Sequence, residues 1–375
     1  MEIEAELDEL ARSILDRTYT MRPSICFPVD RPVLREVIAA DFRDRIVHHY
    51  VFDYLNPQLE QELIEDCYSC RAGKGTSYGI DRLEHHIRSC SRNYTRECWC
   101  LQLDISGYFM SIDRELLCAK ALALMERVGR RRNESGQRLA DLPKHRLVEQ
   151  LLRKVIMHNP LENCEVRDSQ GLFARLPRSK SLRYAPEGVG LPIGNLTSQL
   201  FSNVYLNVLD QFMKRVLKCR HYGRYVDDFF VVSCDREWLL SLVPRIRRFL
   251  KVELGLDLHM GKVRICRASQ GVEFLGAYIK PFRIYTSNAT KERILRNLSE
   301  MDFTDREAVG RTVNSYLGIM SKTASYNLRR ELFFRKEFLR IGSFDERMTK
   351  FTPHGHRTLR RGPASRLHRH QQHHL

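Results

Sequence analysis

The stretch Arg224–Val232 reads RYVDDFFVV and sets two adjacent aspartates, Asp227 and Asp228, within a run of aromatic and β-branched residues. Such a run has strong strand character. Two carboxylates cannot be buried in a strand without partners, because removing them from water is costly. The stretch therefore predicts a β-hairpin with the Asp pair at or near its turn, facing a cation. A turn exposed to water is the alternative for this stretch taken alone, since Asp is common in turns.

A third carboxylate follows a second apolar run. The stretch Trp99–Ile105 reads WCLQLDI and contains Asp104. Three carboxylates on two neighbouring strands supply the oxygen ligands that Mg²⁺ prefers, so the two runs together predict a site for a pair of Mg²⁺ ions.

The charge balance indicates a polyanionic partner. The chain has 375 residues, with 62 Lys and Arg against 46 Asp and Glu, and a formal net charge of +16. This excess favours nucleic acid or an anionic membrane surface as the partner. No apolar run approaches the ~18 residues of a transmembrane helix, and the acidic start Met1–Glu6 differs from a signal peptide. The membrane alternative is therefore the weaker one.

The cysteines indicate a reducing compartment. The chain has 11 of them, an odd number, without a secretion signal, which predicts reduced thiols and a cytoplasmic location. The pairs Cys67/Cys70 and Cys98/Cys100 have spacings compatible with a four-thiolate zinc site. Because Cys98 and Cys100 fall in a strand-like run, buried free thiols are the favoured interpretation.

Apolar periodicity outlines the other elements. It predicts a helix in the first 20 residues with Ile3, Leu7, Leu10, Ile14 and Leu15 on one side, and a helix opened by Asp113 as N-cap. A helix capped by Thr197 or Ser198 is expected later, and one ending at Gly255 follows the hairpin. The remaining predicted helices cover 78–89, 144–158 and 290–340, and a further strand pair covers 272–279.

Two stretches carry candidate groups for binding phosphate. Arg35, Arg43 and Arg45 are close in sequence, and the Gly-Lys-Gly turn at 73–75 exposes backbone N–H groups and the cation of Lys74. The turn lacks the spacing of a nucleotide-hydrolase phosphate loop. Solvated surface arginines are the alternative for the first group.

A glycine-rich loop leads into a predicted helix. Residues 188–199 read GVGLPIGNLTSQ, and their glycines allow close backbone approach to a ligand. A loop that feeds a helix N-terminus suits an anionic or nucleotide ligand. A plain structural turn before a capped helix is the alternative.

Taken together, these stretches resemble the palm and fingers of reverse transcriptases over most of residues 30–285. LQLDISGYF at 101–109 matches the first catalytic motif, YVDD at 225–228 matches the Tyr-x-Asp-Asp motif, and FLG at 274–276 matches the primer-grip region. The resemblance implies an α+β right-hand polymerase fold, with fingers, a palm whose antiparallel sheet carries the catalytic Asp residues, and a helical thumb.

The resemblance also implies domain boundaries. They are an N-terminal extension (1–30), fingers (31–100), a first palm segment (101–128), a fingers or insertion segment (129–185), the remaining palm (186–285), a helical thumb (286–345) and a disordered basic His-rich tail (346–375).

A finer match lies in residues 190–199. Most reverse transcriptases have Gln-Gly-x-x-x-Ser-Pro there, whereas this chain has Ile193-Gly194 and then Ser198-Gln199. This pattern is similar to the reverse transcriptases of diversity-generating retroelements. That group implies error-prone copying of a template-repeat RNA into cDNA, with errors at adenines, and a small basic accessory protein oligomer as partner.

The resemblance assigns roles to individual residues. Two Mg²⁺ ions would be held by Asp104, Asp227, Asp228 and the Ile105 carbonyl, and Lys262 would help to protonate pyrophosphate. Tyr108 would be an aromatic gate that selects dNTPs, and Ile193 would replace a glutamine near the nascent pair. Other residues implied to contact the nucleotide are Arg35, Gly194 and Gln199; those implied to contact nucleic acid are Arg43, Arg45, Lys74, Phe274, Leu275 and Gly276.

Two alternatives stay open. One is a retron-like or group II intron-like reverse transcriptase of ordinary fidelity, against which Ser198-Gln199 and the lack of a maturase-like extension argue. The other is a non-catalytic RNA-binding scaffold with a polymerase fold, against which the presence of all three carboxylates argues.

Overall fold

The computed structural model describes residues 2–30 and 33–354. Within them the chain forms two compact units, one of residues up to Leu275 together with Ile279–Phe282, and one of Gly276–Tyr278 together with residues from Arg283 onward. Helices and strands are mixed in sequence, in agreement with an α+β fold. The division into fingers, palm and thumb stays a prediction.

The first unit contains seven helices. They are α1 (Glu2–Leu15), α2 (Phe42–Glu60), α3 (Thr76–Cys90), α4 (Arg114–Gly129), α5 (Pro143–Met157), α6 (Leu196–Gln211) and α7 (Arg236–Leu254). Its strands before residue 270 are β1 (Ser24–Val29), β2 (Arg35–Ala39), β3 (Trp99–Leu103), β4 (Cys164–Val166), β5 (His221–Tyr225), β6 (Asp228–Ser233) and β7 (Arg264–Arg267).

A four-stranded antiparallel sheet in the order β5-β6-β3-β7 lies at the centre of this unit. Tyr225 pairs with Asp228, so the connecting turn consists of Val226 and Asp227, and Val226 adopts φ +54°. The predicted hairpin is thus confirmed. β6 lies between two strands and Phe229–Val232 are buried, which explains the continuous apolar run, since a central strand covered on both faces has no solvent side.

Local signals for helix ends are confirmed at two places. Asp113 precedes α4 and its carboxylate accepts a hydrogen bond from Leu116 N at 2.9 Å. α7 ends at Gly255 in the left-handed conformation, φ +63°. The predicted cap of α6 is wrong, because that helix begins at Leu196 and the Thr197 hydroxyl bonds to the buried His48 ring instead.

The N-terminal helix buries less apolar surface than its sequence predicts. Leu10 is buried and Ile14 packs partly against the core, but Ile3, Leu7 and Leu15 are exposed. One helical face is therefore apolar along its length, while Leu10 and Ile14 in its second half contact the described core.

A second sheet of this unit has the order β2-β1-β4. β1 and β2 are antiparallel neighbours, and the short β4 pairs in parallel with β1. The region 159–186 contains β4 and several short 3-10 turns.

Three strands follow near the division between the units: β8 (Val272–Phe274), β9 (Ala277–Lys280) and β10 (Arg283–Thr286). The strand pair predicted over 272–279 is thus present, with a turn at Leu275-Gly276.

The second unit continues with helices and one hairpin: α8 (Asn288–Ser299), α9 (Arg306–Met320), α10 (Tyr326–Phe333), α11 (Lys336–Ile341), β11 (Gly342–Phe344) and β12 (Phe351–Pro353). Its core includes Val313, Leu317 and Phe333. β12 pairs with β11 and Phe351 is 1% exposed, so the prediction of disorder from 346 is wrong up to His354. The rest of the predicted His-rich tail lies outside the described residues.

Two further sequence expectations concern the cysteines and the membrane. All eleven cysteines are free thiols, and Cys67, Cys98 and Cys100 are buried. Among residues 2–30 and 33–354 no three or more His, Cys, Asp or Glu side chains are grouped closely enough to hold a metal, so the four-thiolate zinc site is wrong. Within the same ranges no helix is both long and apolar enough to cross a membrane.

Candidate active site

Two of the three predicted carboxylates meet at the edge of the central sheet. Leu103 at the end of β3 pairs with Phe229 in β6, so Asp104 and Asp228 are neighbours across the strand pair. They line one cavity of about 270 Å³ together with Lys262, Arg264 and other residues. The sheet register therefore builds the acidic centre of the site.

The pKa values reflect the crowding of negative charge. Burial raises the pKa of Asp227 to about 6, and the charge of Asp104 adds to the rise. Burial also raises the pKa of Asp228, and so do the charges of Asp227 and Asp104. Because Asp228 is solvent-exposed, repulsion from the neighbouring carboxylates is the main cause of its raised pKa. A cation placed here would relieve that repulsion.

Lys262 supplies one such cation from a separate part of the chain. Its Nζ lies 2.8 Å from Asp104 Oδ2 and the side chain stays 55% exposed. The hydrogen bond to Asp104 raises the pKa of Lys262, which keeps the ammonium protonated at neutral pH. The structure thus brings together Asp104, Asp228 and Lys262 as the sequence predicts.

The donor chemistry of this cluster fits a hard divalent cation, since Asp104 and Asp228 present oxygen donors on a shared cavity. The three aspartates do not form a closed ligand group in the described part of the chain. Ile105 follows Asp104 in a β-bridge with Leu258, and the role of its carbonyl as a ligand stays a prediction.

A buried polar network supports the turn that carries Asp227. Arg224 donates from Nε to Asp210 Oδ1 at 2.8 Å and from Nη2 to Asp210 Oδ2 at 2.7 Å, and both side chains are 0% exposed. Arg224 Nη1 also donates to the Val226 carbonyl at 2.9 Å, while Val226 N donates to Ser69 Oγ at 3.1 Å. The turn backbone is therefore held from inside the core.

Sequence reasoning missed this network. Arg224 directly precedes the Tyr-Val-Asp-Asp stretch, and its position in a strand-like apolar run was the available signal. Its partner Asp210 lies near the end of α6, and Tyr222 OH donates to the same carboxylate at 2.6 Å. No sequence pattern connects these residues, because they meet only in the folded chain.

The predicted aromatic gate needs correction. Tyr108 is 2% exposed and its hydroxyl donates to the Ser202 carbonyl at 2.9 Å. A ring held in the core in this way cannot contact the sugar of a nucleotide. The adjacent Phe109 is partly exposed and packs against Tyr108 with ring centroids 5.3 Å apart.

The glycine-rich loop packs against strand β2. Ile38 N donates to the Ile193 carbonyl at 2.8 Å. Gly194 has φ +133°, and a Cβ there would lie 2.9 Å from Val37 Cγ1. Gly194 lines a cavity of about 870 Å³ together with Arg45 and apolar residues of β1 and β2. Gln199 is exposed in the first turn of α6.

The three candidate arginines have different surroundings. Arg35 is exposed at the start of β2. Arg45 is exposed, and its Nε donates to the Ala40 carbonyl at 2.8 Å. Arg43 donates to Ser13 Oγ at 3.1 Å and lies over the Tyr19 ring. Arg43 therefore serves to attach α1 to α2, and this contact argues against its predicted role in binding nucleic acid.

Lys74 is likewise engaged within the protein. Its Nζ lies 3.0 Å from Glu65 Oε1, its side chain is 12% exposed, and it lies over the Tyr78 ring. The cation of the Gly-Lys-Gly turn is thus neutralised locally, in contrast to the predicted contact with a phosphate.

The Phe-Leu-Gly stretch forms a turn after β8. Phe274 is 5% exposed and contacts Phe230 edge-on, with ring centroids 5.3 Å apart. Leu275 and Gly276 both have positive φ, +50° and +82°. Phe274 is therefore a core residue, and contact of Leu275 and Gly276 with nucleic acid stays a prediction.

Comparison with known proteins agrees with this geometry. Residues 142–279 match the family described as reverse transcriptase (RNA-dependent DNA polymerase), a range that contains Asp227, Asp228 and Lys262. Protein YkfC of Escherichia coli (strain K12) is 26% identical over 305 residues, which cover 72% of this chain and 70% of that protein.

Solved telomerase structures share the fold. Apo telomerase from Candida tropicalis, truncated from the C-terminal domain, superposes with a TM-score of 0.51 at 12% identity, over 74% of this chain and 59% of that one. Telomerase from Candida albicans in complex with a fragment of telomeric RNA gives 0.51 at 12% identity, over 85% and 55%. The chain thus spans less than two thirds of these telomerase chains. The telomerase structures show the fold alone, and the family match supports an RNA-directed DNA polymerase, a nucleotidyltransferase.

Proposed function

We propose that this chain is a reverse transcriptase that copies a template-repeat RNA into adenine-mutagenised cDNA within a diversity-generating retroelement. The observation that carries the polymerase part is the meeting of Asp104, Asp228 and Lys262 in one cavity at the edge of the central sheet. The retroelement part rests on the residues of the loop before α6.

The side chains of this site suit nucleotidyl transfer. Asp104 and Asp228, with Asp227 on the adjoining turn, would hold two Mg²⁺ ions. Bound ions would supply activation of the primer 3′-hydroxyl and neutralisation of the triphosphate and the departing pyrophosphate. By holding the ions in fixed positions, the carboxylates would also fix where the primer end and the triphosphate bind. Lys262 keeps its proton through the contact with Asp104 and can deliver it from Nζ to the leaving pyrophosphate oxygen.

The surroundings supply candidate contacts for the nucleotide and template. Phe109 is a better candidate than Tyr108 for contact with the sugar, because its ring is partly open to solvent and lies five residues after Asp104 in sequence. Arg45 and Gly194 share a cavity whose apolar walls come from β1 and β2, which suits a base bound beside a phosphate. The exposed Arg35 remains a candidate for the triphosphate.

The retroelement assignment depends on Ile193. An apolar side chain replaces the amide that most reverse transcriptases carry at this point, so the nascent base pair loses a polar contact. We infer that the looser geometry contributes to misincorporation opposite template adenine. A small basic accessory protein oligomer, a template-repeat RNA and a cytoplasmic location belong to the same proposal.

Primer extension on a defined RNA template tests the proposal. The full chain would be incubated with Mg²⁺ and dNTPs, with and without the neighbouring small basic protein where one is encoded, and the cDNA would be sequenced. The D227A/D228A variant should lose synthesis and keep RNA binding. D257A is the matched control, because that exposed carboxylate pairs with Lys251 on the surface.

Each outcome has a separate meaning. Errors concentrated at template adenines would support the retroelement, whereas faithful cDNA would favour a retron-like or group II intron-like enzyme. RNA binding with no synthesis by the unmodified chain under any of these conditions would favour the non-catalytic scaffold.

A further inference from the structure

Three cysteine side chains meet at the end of the β3–β6 strand pair that lies opposite to the aspartates. Cys90 is the last residue of α3, Cys98 directly precedes β3, and Cys234 directly follows β6. Trp99 pairs with Ser233, so the sheet register brings the segments of Cys98 and Cys234 together. Cys90 Sγ lies 3.7 Å from Cys234 Sγ. Two thiols from distant parts of the chain are thus already in contact.

The three thiols differ in their access to solvent. Cys234 is exposed, whereas Cys90 is 8% and Cys98 is 2% exposed. A dissolved reagent therefore reaches Cys234 first. The less accessible Cys90 thiol is in contact with Cys234 and can react next.

The surroundings of Cys90 favour its thiolate. A hydrogen bond from Cys98 lowers the pKa of Cys90 to about 6, with smaller contributions from Cys234 and the charge of Arg96. Interaction with Cys90 and burial raise the pKa of Cys98, so its thiol stays protonated. Thiolates are the reacting form in exchange with disulfides, and a low thiol pKa makes that form available at neutral pH.

The backbone between Cys90 and Cys98 is unusual. Arg92, Asn93 and Tyr94 are consecutive non-glycine residues with φ +50°, +59° and +65°. This conformation is unfavourable for L-residues, and it lets a short connection return the chain from α3 to β3. At the end of this connection the Cys98 thiol donates to the Ile87 carbonyl at 3.9 Å, one turn before Cys90 in α3.

Two other close cysteine pairs lack these properties. Cys26, beside Cys164, is 0% exposed and burial raises its pKa to about 12. Cys100 pairs with Cys266 across β3 and β7, and full burial raises its pKa well above the ordinary value. Each of these two pairs contains a buried thiol that stays protonated. Disulfide exchange should therefore occur mainly at Cys90 and Cys234.

We propose that Cys90 and Cys234 form a reversible disulfide that joins α3 to the end of β6, with Cys98 positioned to hold the Cys90 thiolate. A low-molecular-weight disulfide, RSSR, exchanges with the Cys234 thiol and releases one RSH. The Cys90 thiolate then attacks Cys234 Sγ and expels RS⁻, which takes a proton from water. In sum, two protein thiols are oxidised, one RSSR is reduced to two RSH, and the proton of Cys90 is returned through the solvent.

The test uses the full chain in glutathione buffers of increasing oxidised fraction. Samples are quenched with acid, alkylated, digested without reduction, and analysed by mass spectrometry. The expected result is loss of two of the eleven free thiols, with a Cys90–Cys234 linkage as the main product. C234S and C90S should each lower the intramolecular disulfide by at least roughly tenfold, whereas C70S, which removes an exposed thiol elsewhere, should leave it unchanged.

A further variant separates positioning from mere proximity. C98A, which removes the hydrogen-bond donor, should slow closure of the mixed disulfide at neutral pH, and raising the pH should restore the rate, because more Cys90 is then ionised without the hydrogen bond from Cys98. Circular dichroism would show that the variants fold. A dominant Cys26–Cys164, Cys100–Cys266 or Cys90–Cys98 linkage, or glutathione retained on Cys234 without closure, would overturn the proposal.

Discussion

Arg224 and Asp210 form a fully buried ion pair joined by two hydrogen bonds, and the same guanidinium donates to the Val226 carbonyl in the turn before Asp227. Arg224 lies on strand β5 and Asp210 lies on helix α6. Because a buried charge is tolerated only when it is paired, the pair fixes the distance between α6 and the turn. The position of the acidic turn therefore depends on core residues that do not themselves reach the cavity.

Removing one member of this pair should destabilise the protein strongly. R224M leaves the Asp210 carboxylate buried without its ion-pair partner, and we expect a loss of about 3 to 5 kcal/mol in the free energy of unfolding. R127M is the matched control, since Arg127 and Glu62 make a similar two-bonded pair at the surface, for which about 1 kcal/mol or less is expected. Urea denaturation measures both, and equal losses would contradict the argument.

Asp228 should matter for activity and not for folding. D228N removes an oxygen donor from the cavity, and we expect primer extension to fall by at least about a hundredfold, which corresponds to several kcal/mol of transition-state stabilisation. Thermal stability should stay the same or rise, because a like charge beside Asp104 and Asp227 is removed. E237Q, which changes a distant exposed carboxylate, should alter neither. A D228N protein that unfolds more readily than E237Q would assign Asp228 a structural role.

His48 should make stability depend on pH. Burial lowers the pKa of this 6% exposed ring from 6.5 to about 4. Between these values the unfolded chain binds a proton that the folded chain does not, so stability is lost as pH falls from 6.5 toward 4. The expected loss is about 3 kcal/mol. Comparing urea midpoints at pH 7 and pH 4.5 should show a smaller difference in H48Q than in the unmodified chain, whereas H49Q, at an exposed position, should retain the full difference.

Gly194 should not accept a side chain. In G194A the new Cβ would lie 2.9 Å from Val37 Cγ1 and 3.0 Å from the Ile38 carbonyl oxygen, in addition to the unfavourable φ of +133°. We expect a loss of about 2 kcal/mol or more in unfolding free energy. G188A isolates the backbone contribution, because φ is +72° there and the added Cβ meets open space among the described residues. Thermal denaturation of the two variants should rank G194A below G188A.

Ile193 should influence fidelity. I193Q would restore a side-chain amide beside the nascent pair, and we expect fewer misincorporations opposite template adenine at a similar rate of synthesis. Deep sequencing of cDNA made by both proteins on one template measures the change. I193L keeps the side chain apolar and should retain the error pattern. An adenine error rate that is the same in I193Q would remove Ile193 from the explanation of low fidelity.

Several features of this protein were readable from short stretches of sequence. The run around Asp227-Asp228 defined a hairpin because strand propensity and a two-residue turn are local properties. Asp113 and Gly255 marked helix ends for the same reason, since a cap needs only its own side chain or backbone and the next turn of helix. The proximity of Asp104 and Asp228 was also predicted. Asp104 follows β3 and Asp228 begins β6, and these two strands are neighbours in one sheet.

The tertiary structure alone decided which polar and aromatic side chains are free to act. The buried Tyr108 hydroxyl donates to the Ser202 carbonyl. Arg43 donates to Ser13, and Lys74 forms an ion pair with Glu65. Arg224 finds its partner on another element, and Cys90 meets Cys234 across 144 positions of the chain. A long or buried side chain takes its surroundings from whatever the fold packs against it, and those neighbours have no fixed spacing in the sequence. The sequence by itself thus determined the acidic hairpin, the helix ends at Asp113 and Gly255 and the pairing of Asp104 with Asp228, while packing determined which of the candidate residues can reach a ligand.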